Sequence, residues 1–171
     1  MLNAISRWFR NRIMNDRYLF ETLRGELKKQ LHQPYAITYT AELELEFLTE
    51  TPARSSLDEN DFMAITTAFS EANAAGFLGV IVINFAGIRK HFAELGFFDS
   101  KKFLRGIVRH ECRHADQFEF LRARGGIELL NRVCEEQQNV SYLMNVFETD
   151  AYYFQFTGES RDFEVVFAKY L

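Results

Sequence analysis

Residues 107–117 read IVRHECRHADQ, and this stretch decides the fold. It contains the pattern His-Glu-x-x-His at His110, Glu111 and His114. Residues four apart lie one turn apart on one face of an α-helix, so both imidazoles can bind one metal ion. The adjacent Glu111 carboxylate can accept a proton from a metal-bound water, whose pKa a zinc ion lowers to about 7. The spacing therefore predicts a helical zinc site with Glu111 as general base. The alternative is two unrelated helix histidines, one packed and one exposed.

The sequence around this motif predicts a long helix followed by shorter ones. Asp99 and Ser100 supply an N-cap for a helix over about 101–124, and the pair Gly125–Gly126 should end it. Further helices are expected over 127–137, over 141–156 and, after a cap at Ser160, over the last residues to Tyr170.

A catalytic zinc ion usually has three protein ligands and one water, so a third ligand is required. The extended pattern with a third histidine fails, because Gln117 and Phe120 stand where Gly and His are needed. Asp116 and Glu119 lie on the same helix but should point away from the histidine pair. The remaining acidic candidates lie downstream and are Glu135, Glu136 and Glu148.

Residues 110–117, followed by Glu-Thr-Asp-Ala at 148–151, resemble the gluzincin group of zinc metallopeptidases. The resemblance is closest to the small single-domain forms called minigluzincins. It implies a zincin-like fold, one zinc ion per chain and hydrolysis of a peptide or protein substrate. The residues it implies are His110, His114 and Glu148 as zinc ligands and Glu111 as general base.

The same resemblance favours Glu148 over Glu135 as third ligand. A small residue often follows that glutamate by three positions, and Ala151 fits because it lets two helices approach closely. Many gluzincins carry Asp one position later, where this chain has Tyr152. Asp150 is therefore expected to orient a ligand histidine through its second ring nitrogen. Tyr152 is a candidate donor to the oxyanion of a tetrahedral intermediate, or a packed tyrosine with a solvated hydroxyl.

Two arginines near the motif have two interpretations each, and a nearby glycine is expected to have a packing role. Arg109 and Arg113 flank the motif and either bind a substrate carboxylate or lie on a solvated helix face. Gly106 lies one turn before His110, and we expect it to allow close packing against a strand over 77–85.

Residues 2–31 carry apolar side chains at helical spacing, and they are surrounded by Arg7, Arg10, Arg12 and Arg17. They predict an amphipathic helix that packs on the domain, with a membrane-surface or partner contact as the alternative. Pro34 ends this segment. The expected organisation is an N-terminal helical segment over 1–33 and a zincin-like metallopeptidase domain over 34–171, forming one compact domain overall.

A small sheet should follow the N-terminal helix. Apolar and polar residues alternate strictly over 37–47, which predicts a half-buried strand. A helix is expected over 58–74, a strand buried on both faces over 77–85, and a short helix near 89–95. The order strand, helix, strand favours a right-handed parallel crossover. The fold class is therefore α+β, mainly helical, with a small mixed sheet and a long active-site helix.

Composition limits the function classes. The chain has 171 residues, of which 47% are hydrophobic and 26% charged, as in a soluble globular domain. A net charge of −4 argues against a general nucleic-acid binder. Cys112 and Cys134 are expected to be reduced thiols, and no secretory signal or membrane span is evident in the sequence. Both observations favour a cytoplasmic location, which would be the host cytoplasm if a phage encodes the chain. The alternative function is a structural or protein-binding component, such as a phage or assembly accessory protein, with a vestigial or structural metal site.

Overall fold

The computed structural model describes residues 15–40, 62–95 and 99–171, which form an α+β fold as predicted. Helices predominate, and the sheet has three strands of mixed direction. The elements in chain order are α1 (Asp16–Gln30), β1 (Tyr35–Thr40), β2 (Ala64–Ala68), β3 (Gly79–Asn84), α2 (Phe85–Leu95), α3 (Ser100–Gln138), a 3-10 helix (Tyr142–Met144), α4 (Val146–Thr157) and α5 (Phe163–Val166).

The sheet has the strand order β1-β3-β2. β1 runs parallel to β3, with Tyr35 opposite Gly79 and Thr40 opposite Asn84, so the predicted parallel pairing is confirmed. β2 runs antiparallel to β3 on the other side. The central strand β3 is almost wholly buried, as its continuous apolar sequence predicts. The part of the predicted first strand beyond residue 40 lies outside the described residues.

The helix predicted over 58–74 is wrong for residues 62–74, because 64–68 form β2 and an irregular connection follows. The apolar residues of this stretch fit a helical spacing as well as a strand. Three consecutive β-branched residues, Ile65, Thr66 and Thr67, favour an extended backbone once a partner strand is present. β2 therefore lies in the connection between β1 and β3, where the sequence predicted a crossover helix.

The N-terminal helix is confirmed for Asp16–Gln30, whereas residues 1–14 lie outside the described part of the chain. Asn15 caps it by accepting a hydrogen bond from the backbone N–H of Tyr18. Leu19, Leu23 and Leu27 recur every four residues and are buried on the side that faces the sheet and α3. This part of the N-terminal segment thus packs on the domain.

The long helix α3 begins at the predicted N-cap, where the Asp99 side chain accepts from the backbone N–H of Lys102. Its predicted interruption is also confirmed, since Gly125 and Gly126 leave the helical conformation. Gly126 has φ 71° and ψ −170°, a region that only glycine readily occupies. A second straight segment then continues to Gln138.

The C-terminal helices are shorter than predicted. Asn145 caps α4, so this helix starts at Val146, and residues 142–144 form the separate 3-10 turn. Gly158 ends α4 in the left-handed conformation. Asp162 rather than Ser160 caps α5, which ends at Val166.

Two large apolar clusters fill most of the interior of the described part of the chain, and a smaller one contains Phe62 and Ile65. The sheet cluster joins the sheet, α1, α2 and the first half of α3, and its members include Leu19, Leu23, Ile81, Ile83, Leu104, Val108 and Ala115. The C-terminal cluster joins the later part of α3 to the last two helices, and its buried members are Leu121, Leu130, Val133, Phe147 and Phe167. Within the described ranges, none of the helices combines the length and apolar character that crossing a bilayer requires.

Candidate metal centre

His110, His114 and Glu148 come together in the structure, and all three side chains are buried. Nε2 of His110 lies 3.0 Å from Nε2 of His114. The carboxylate of Glu148 completes the group, with its oxygens 3.2 Å from Nε2 of His110 and 3.6 Å from Nε2 of His114. One turn of α3 thus provides two nitrogen atoms, and α4 provides the oxygen.

These three side chains are close enough together to bind one zinc ion. With zinc–nitrogen and zinc–oxygen bonds near 2.1 Å, two ligand atoms of a tetrahedron lie about 3.4 Å apart. The two Nε2 atoms lie 3.0 Å apart, near that value, and the two Glu148 oxygens lie 3.2 Å from Nε2 of His110 and 3.6 Å from Nε2 of His114, so the three side chains are close enough to hold one ion. Two imidazoles and one carboxylate also form a common donor set of catalytic zinc sites, with the fourth position left for water. Both the geometry and the chemistry of the donors therefore fit the ion.

The position of Glu148 follows from the start of α4. The Asn145 side chain accepts from the backbone N–H groups of Phe147 and Glu148, which fixes the first turn of the helix. A negative charge in this turn is favoured by the helix dipole. Ala151, one turn later, is fully buried where α4 packs on α3. This small residue leaves room for the close approach of the two helices, as the sequence suggested.

Gln117 orients His114. Its Nε2 donates to the backbone carbonyl of Phe147 at 3.0 Å and to the Asp150 carboxylate at 2.8 Å. The amide oxygen of Gln117 must therefore face Nδ1 of His114, 2.8 Å away, and accept its proton. Nε2 of His114 therefore faces Glu148 and His110, and it offers a lone pair to a metal ion once this nitrogen has lost its proton.

Asp150 contacts neither histidine, so its predicted role in orienting one directly is wrong. Its carboxylate instead accepts from Nε of Arg113 at 2.7 Å, from Nη2 of Arg113 at 3.2 Å, and from Gln117. Arg113 is buried, and its guanidinium lies 3.8 Å from the ring centroid of Phe163. Arg113 is therefore neither on a solvated face nor available to a substrate. Asp150 acts on His114 only through Gln117.

His110 has a different partner. Its Nδ1 lies 3.1 Å from the side-chain oxygen of Gln155 on α4. With Nδ1 as the donor, Nε2 again remains for a metal ion. Gly106 lies against the same glutamine, because a Cβ there would meet the Gln155 side chain at 3.4 Å. The prediction that Gly106 packs against the strand at 77–85 is therefore wrong.

Glu111, the predicted general base, is held by the sheet. The Thr66 hydroxyl of β2 lies 2.8 Å from Oε2 of Glu111 and 3.1 Å from its backbone oxygen, so one donor serves two acceptors. The Glu111 side chain is buried, and its negative charge contributes to the raised pKa of His114. The carboxylate therefore lies near enough to His114 for its charge to act on that imidazole, and Thr66 fixes its orientation.

The charges of Glu148 and His114 stabilise each other. Burial would raise the pKa of Glu148, but bonds to His110 and His114 outweigh it and hold that pKa far below its usual range. Burial would lower the pKa of His114, but the Glu148 carboxylate outweighs it and raises that pKa. Without an ion, the Glu148 carboxylate therefore stabilises the protonated form of His114.

Two tyrosines border the centre. The Tyr152 ring packs edge-on against the His110 ring at 4.7 Å. Its hydroxyl lies 3.1 Å from the hydroxyl of Tyr142. Burial and the charge of Glu148 raise the pKa of Tyr142, so this hydroxyl stays protonated at neutral pH. The role of Tyr152 as an oxyanion donor stays a prediction.

The other acidic candidates lie elsewhere. Glu135 and Glu136 are exposed on the second segment of α3, which leaves Glu148 as the acidic partner of the histidines among the described residues. Asp116 accepts from Gln33, and Glu119 accepts from the hydroxyl of Tyr35, so both are engaged with the N-terminal part of the chain. Cys112 and Cys134 are free thiols, and burial raises the pKa of Cys134 to about 11.

Sequence reasoning missed three residues that support the centre, Thr66, Gln117 and Gln155. For Gln117 a signal was present, because it follows His114 by three positions and so lies on the same helix face. Thr66 and Gln155 lie on other elements, and nothing in their local sequence indicated these contacts.

Comparisons of the chain with protein-family models, with curated proteins and with solved structures find no match.

Proposed function

We propose that this protein is a zinc-dependent metallopeptidase with a zincin-like fold, related in mechanism to the gluzincins. The observation that carries the proposal is the convergence of two buried imidazoles and one buried carboxylate within reach of one ion, with the anchored carboxylate of Glu111 on the same turn of α3. His110, His114 and Glu148 would hold the ion. When bound, zinc supplies a Lewis acid that polarises a carbonyl and lowers the pKa of water to about 7.

Glu111 then performs the proton transfers. Its carboxylate accepts a proton from the attacking water and later delivers it to the leaving amine. The Thr66 hydroxyl holds Oε2 of Glu111, so the carboxylate enters the reaction already oriented. Gln117 and Gln155 keep Nδ1 of the two histidines protonated, which directs both Nε2 atoms to the ion.

The sheet provides a place for an extended substrate. β2 pairs with β3 on one side only among the described strands, and it carries Thr66 against the candidate centre. A peptide that adds to the free side of β2 by backbone hydrogen bonds would run past Glu111. The proposed substrate class is therefore an extended peptide or a protein segment in that conformation.

The experiment compares zinc content and peptide hydrolysis in the wild type, in Glu111→Gln and in Glu128→Gln. Glu128 is an exposed carboxylate on the same helix and serves as the control. We expect one zinc ion per chain in all three proteins, measured by mass spectrometry of the metal. Hydrolysis of a mixed peptide library should fall about 10²- to 10⁴-fold in Glu111→Gln only.

Three results would contradict this proposal. Wild-type protein that takes up no stoichiometric zinc has no such metal centre. Full activity in zinc-loaded Glu111→Gln excludes this carboxylate as the base. Zinc that is bound without hydrolysis of any peptide by the wild type indicates the structural alternative, in which the ion only stabilises an assembly or binding component.

A further inference from the structure

An apolar trough opens on the surface beside the candidate metal centre. Its volume is about 360 Å³. The 3-10 helix forms one wall and the exposed face of α4 forms the other. The side chains that line it are Tyr142, Leu143, Thr149, Tyr152 and Phe156.

The inner end of the trough touches the proposed zinc ligands. The Tyr152 ring packs on the His110 ring with centroids 4.7 Å apart. The hydroxyl of Tyr142 lies 3.1 Å from that of Tyr152, so both tyrosines line this end of the trough. A side chain that fills the trough can therefore belong to the substrate residue whose carbonyl lies at the candidate metal centre.

Aromatic rings form most of the trough surface. Tyr152 and Phe156 lie one turn apart on α4, with an interplanar angle of 13° and centroids 6.1 Å apart. The Tyr142 ring stands across them at 82°, 6.0 Å from Tyr152. The hydroxyls of Tyr142 and Tyr152 bond to each other, and Tyr142 and Phe156 remain 51% and 73% exposed. This arrangement suits a further flat apolar ring in edge-to-face or offset contact.

The outer end of the trough is exposed in a way that core packing does not explain. Leu143 is 82% exposed and Phe156 is 73% exposed, although both are large apolar residues. Neither belongs to the sheet cluster or to the C-terminal cluster. Contiguous exposed apolar residues mark binding surfaces in soluble proteins. None of the five lining residues carries a charge, so a charged group there would lose hydration without gaining a partner.

We propose that the trough binds the aromatic side chain of the substrate residue next to the scissile bond. This inference rests on the proposed function, since it assigns a side-chain preference to the same site. The trough thereby selects aromatic over small or charged residues at one position of an extended peptide. Large aliphatic side chains bind there less well, because they cannot match the ring geometry.

The test uses N-acetylated amino-acid hydroxamates, which chelate zinc and place one side chain beside it. Zinc-loaded protein is titrated calorimetrically with the hydroxamates of phenylalanine, leucine, alanine and glutamate. We expect phenylalanine to bind about tenfold or more tightly than alanine, with leucine between them and glutamate weakest. The Phe-to-Ala ratio should fall several-fold in Leu143→Ser and in Phe156→Ser.

The matched control is Val165→Ser, because Val165 is 74% exposed on α5 and does not line the trough. This variant should keep the wild-type ratio. A second arm titrates N-acetylphenylalanine amide and N-acetylalanine amide onto zinc-free protein and follows the Tyr and Phe ring resonances. This arm measures binding in the trough without metal or turnover. We expect only the phenylalanine amide to shift the resonances of the aromatic rings that line the trough.

The outcomes separate this inference from the proposed function. Zinc binding and peptide hydrolysis without any phenylalanine preference overturn the trough alone. Absence of zinc binding overturns the proposed function, while the amide arm still shows whether the trough accepts an aromatic ring. Concentration-dependent dimers that Phe156→Ser abolishes, with no phenylalanine preference in either arm, identify the trough as a contact between copies and overturn the inference.

Discussion

The side-chain oxygen of Gln117 lies 2.8 Å from Nδ1 of His114, one turn further along the same helix. Replacing this carboxamide with the apolar Gln117→Met removes the acceptor that fixes the His114 tautomer. We expect zinc affinity to fall about 10- to 100-fold, measured by competition with a chromophoric chelator. Gln138→Met changes an exposed glutamine at the end of the same helix and should leave affinity unchanged. An unaltered affinity in Gln117→Met would show that the contact does not orient the ligand.

Thr66 should matter for turnover and not for metal binding. Thr66→Val removes the hydroxyl that holds Glu111, and we expect kcat to fall about tenfold because the base loses its fixed orientation. Zinc content should stay at the wild-type level. Thr66→Ser keeps the hydroxyl and should restore activity, whereas Thr67→Val, at the next strand position, should have little effect. Loss of zinc in Thr66→Val would instead indicate a general disruption of the site.

The buried ion pair between Arg113 and Asp150 should dominate local stability. Asp150→Ala leaves a buried guanidinium without its carboxylate, and we expect a loss of about 3–5 kcal/mol in the free energy of unfolding by urea. Lys169→Ala breaks an exposed pair with Glu136 and should cost at most about 1 kcal/mol. Similar small losses in both variants would mean that Arg113 finds another partner after the change.

Replacing glycine by alanine should change the free energy of unfolding in opposite directions at Gly126, in the interruption of α3, and at Gly25, inside α1. Gly126→Ala forces a side chain into a backbone region reserved for glycine and should destabilise the protein by about 1–3 kcal/mol. Gly25→Ala lies in the interior of α1 with nothing near the new methyl group, so it should stabilise by about 1 kcal/mol. Urea unfolding of both variants measures the pair. A neutral Gly126→Ala would show that the chain can continue as a regular helix there.

Zinc affinity should decrease in acid. The Glu148 carboxylate raises the pKa of His114 in the metal-free protein, so the imidazole keeps its proton to a higher pH than usual. An ion must displace that proton, and affinity is therefore lost progressively as the pH falls through this raised pKa. Calorimetric titration in buffers of different ionisation enthalpy should show proton release on zinc binding near neutral pH. Binding without proton release would mean that His114 is already neutral.

Sequence reasoning located the histidine pair of the candidate metal centre because its main signal is local. His110 and His114 are four apart on one capped helix, and this spacing alone places both rings on one face. Glu148 was placed by resemblance, and the structure brings it to the pair. The interruption at Gly125–Gly126 was likewise local, since the two glycines disfavour a continuous helix.

The errors arose where tertiary contacts decide. Residues 64–68 form a strand because β3 offers an unpaired side, and no short-range pattern reports that partner. Asp150 was expected at a histidine, yet a buried arginine on the facing helix takes its carboxylate. The Gln117 carboxamide lies beside the His114 imidazole instead. This arrangement depends on how α3 and α4 are rotated against each other.

The candidate centre lies between the two apolar clusters. The histidines belong to the half of α3 that packs on the sheet, whereas Glu148 follows Phe147, a member of the C-terminal cluster. An ion coordinated by both would act as an inorganic cross-link between the two halves of the domain. Chelation should then uncouple them, so that a single cooperative melting transition splits into two and the helical C-terminal half opens while the sheet remains intact.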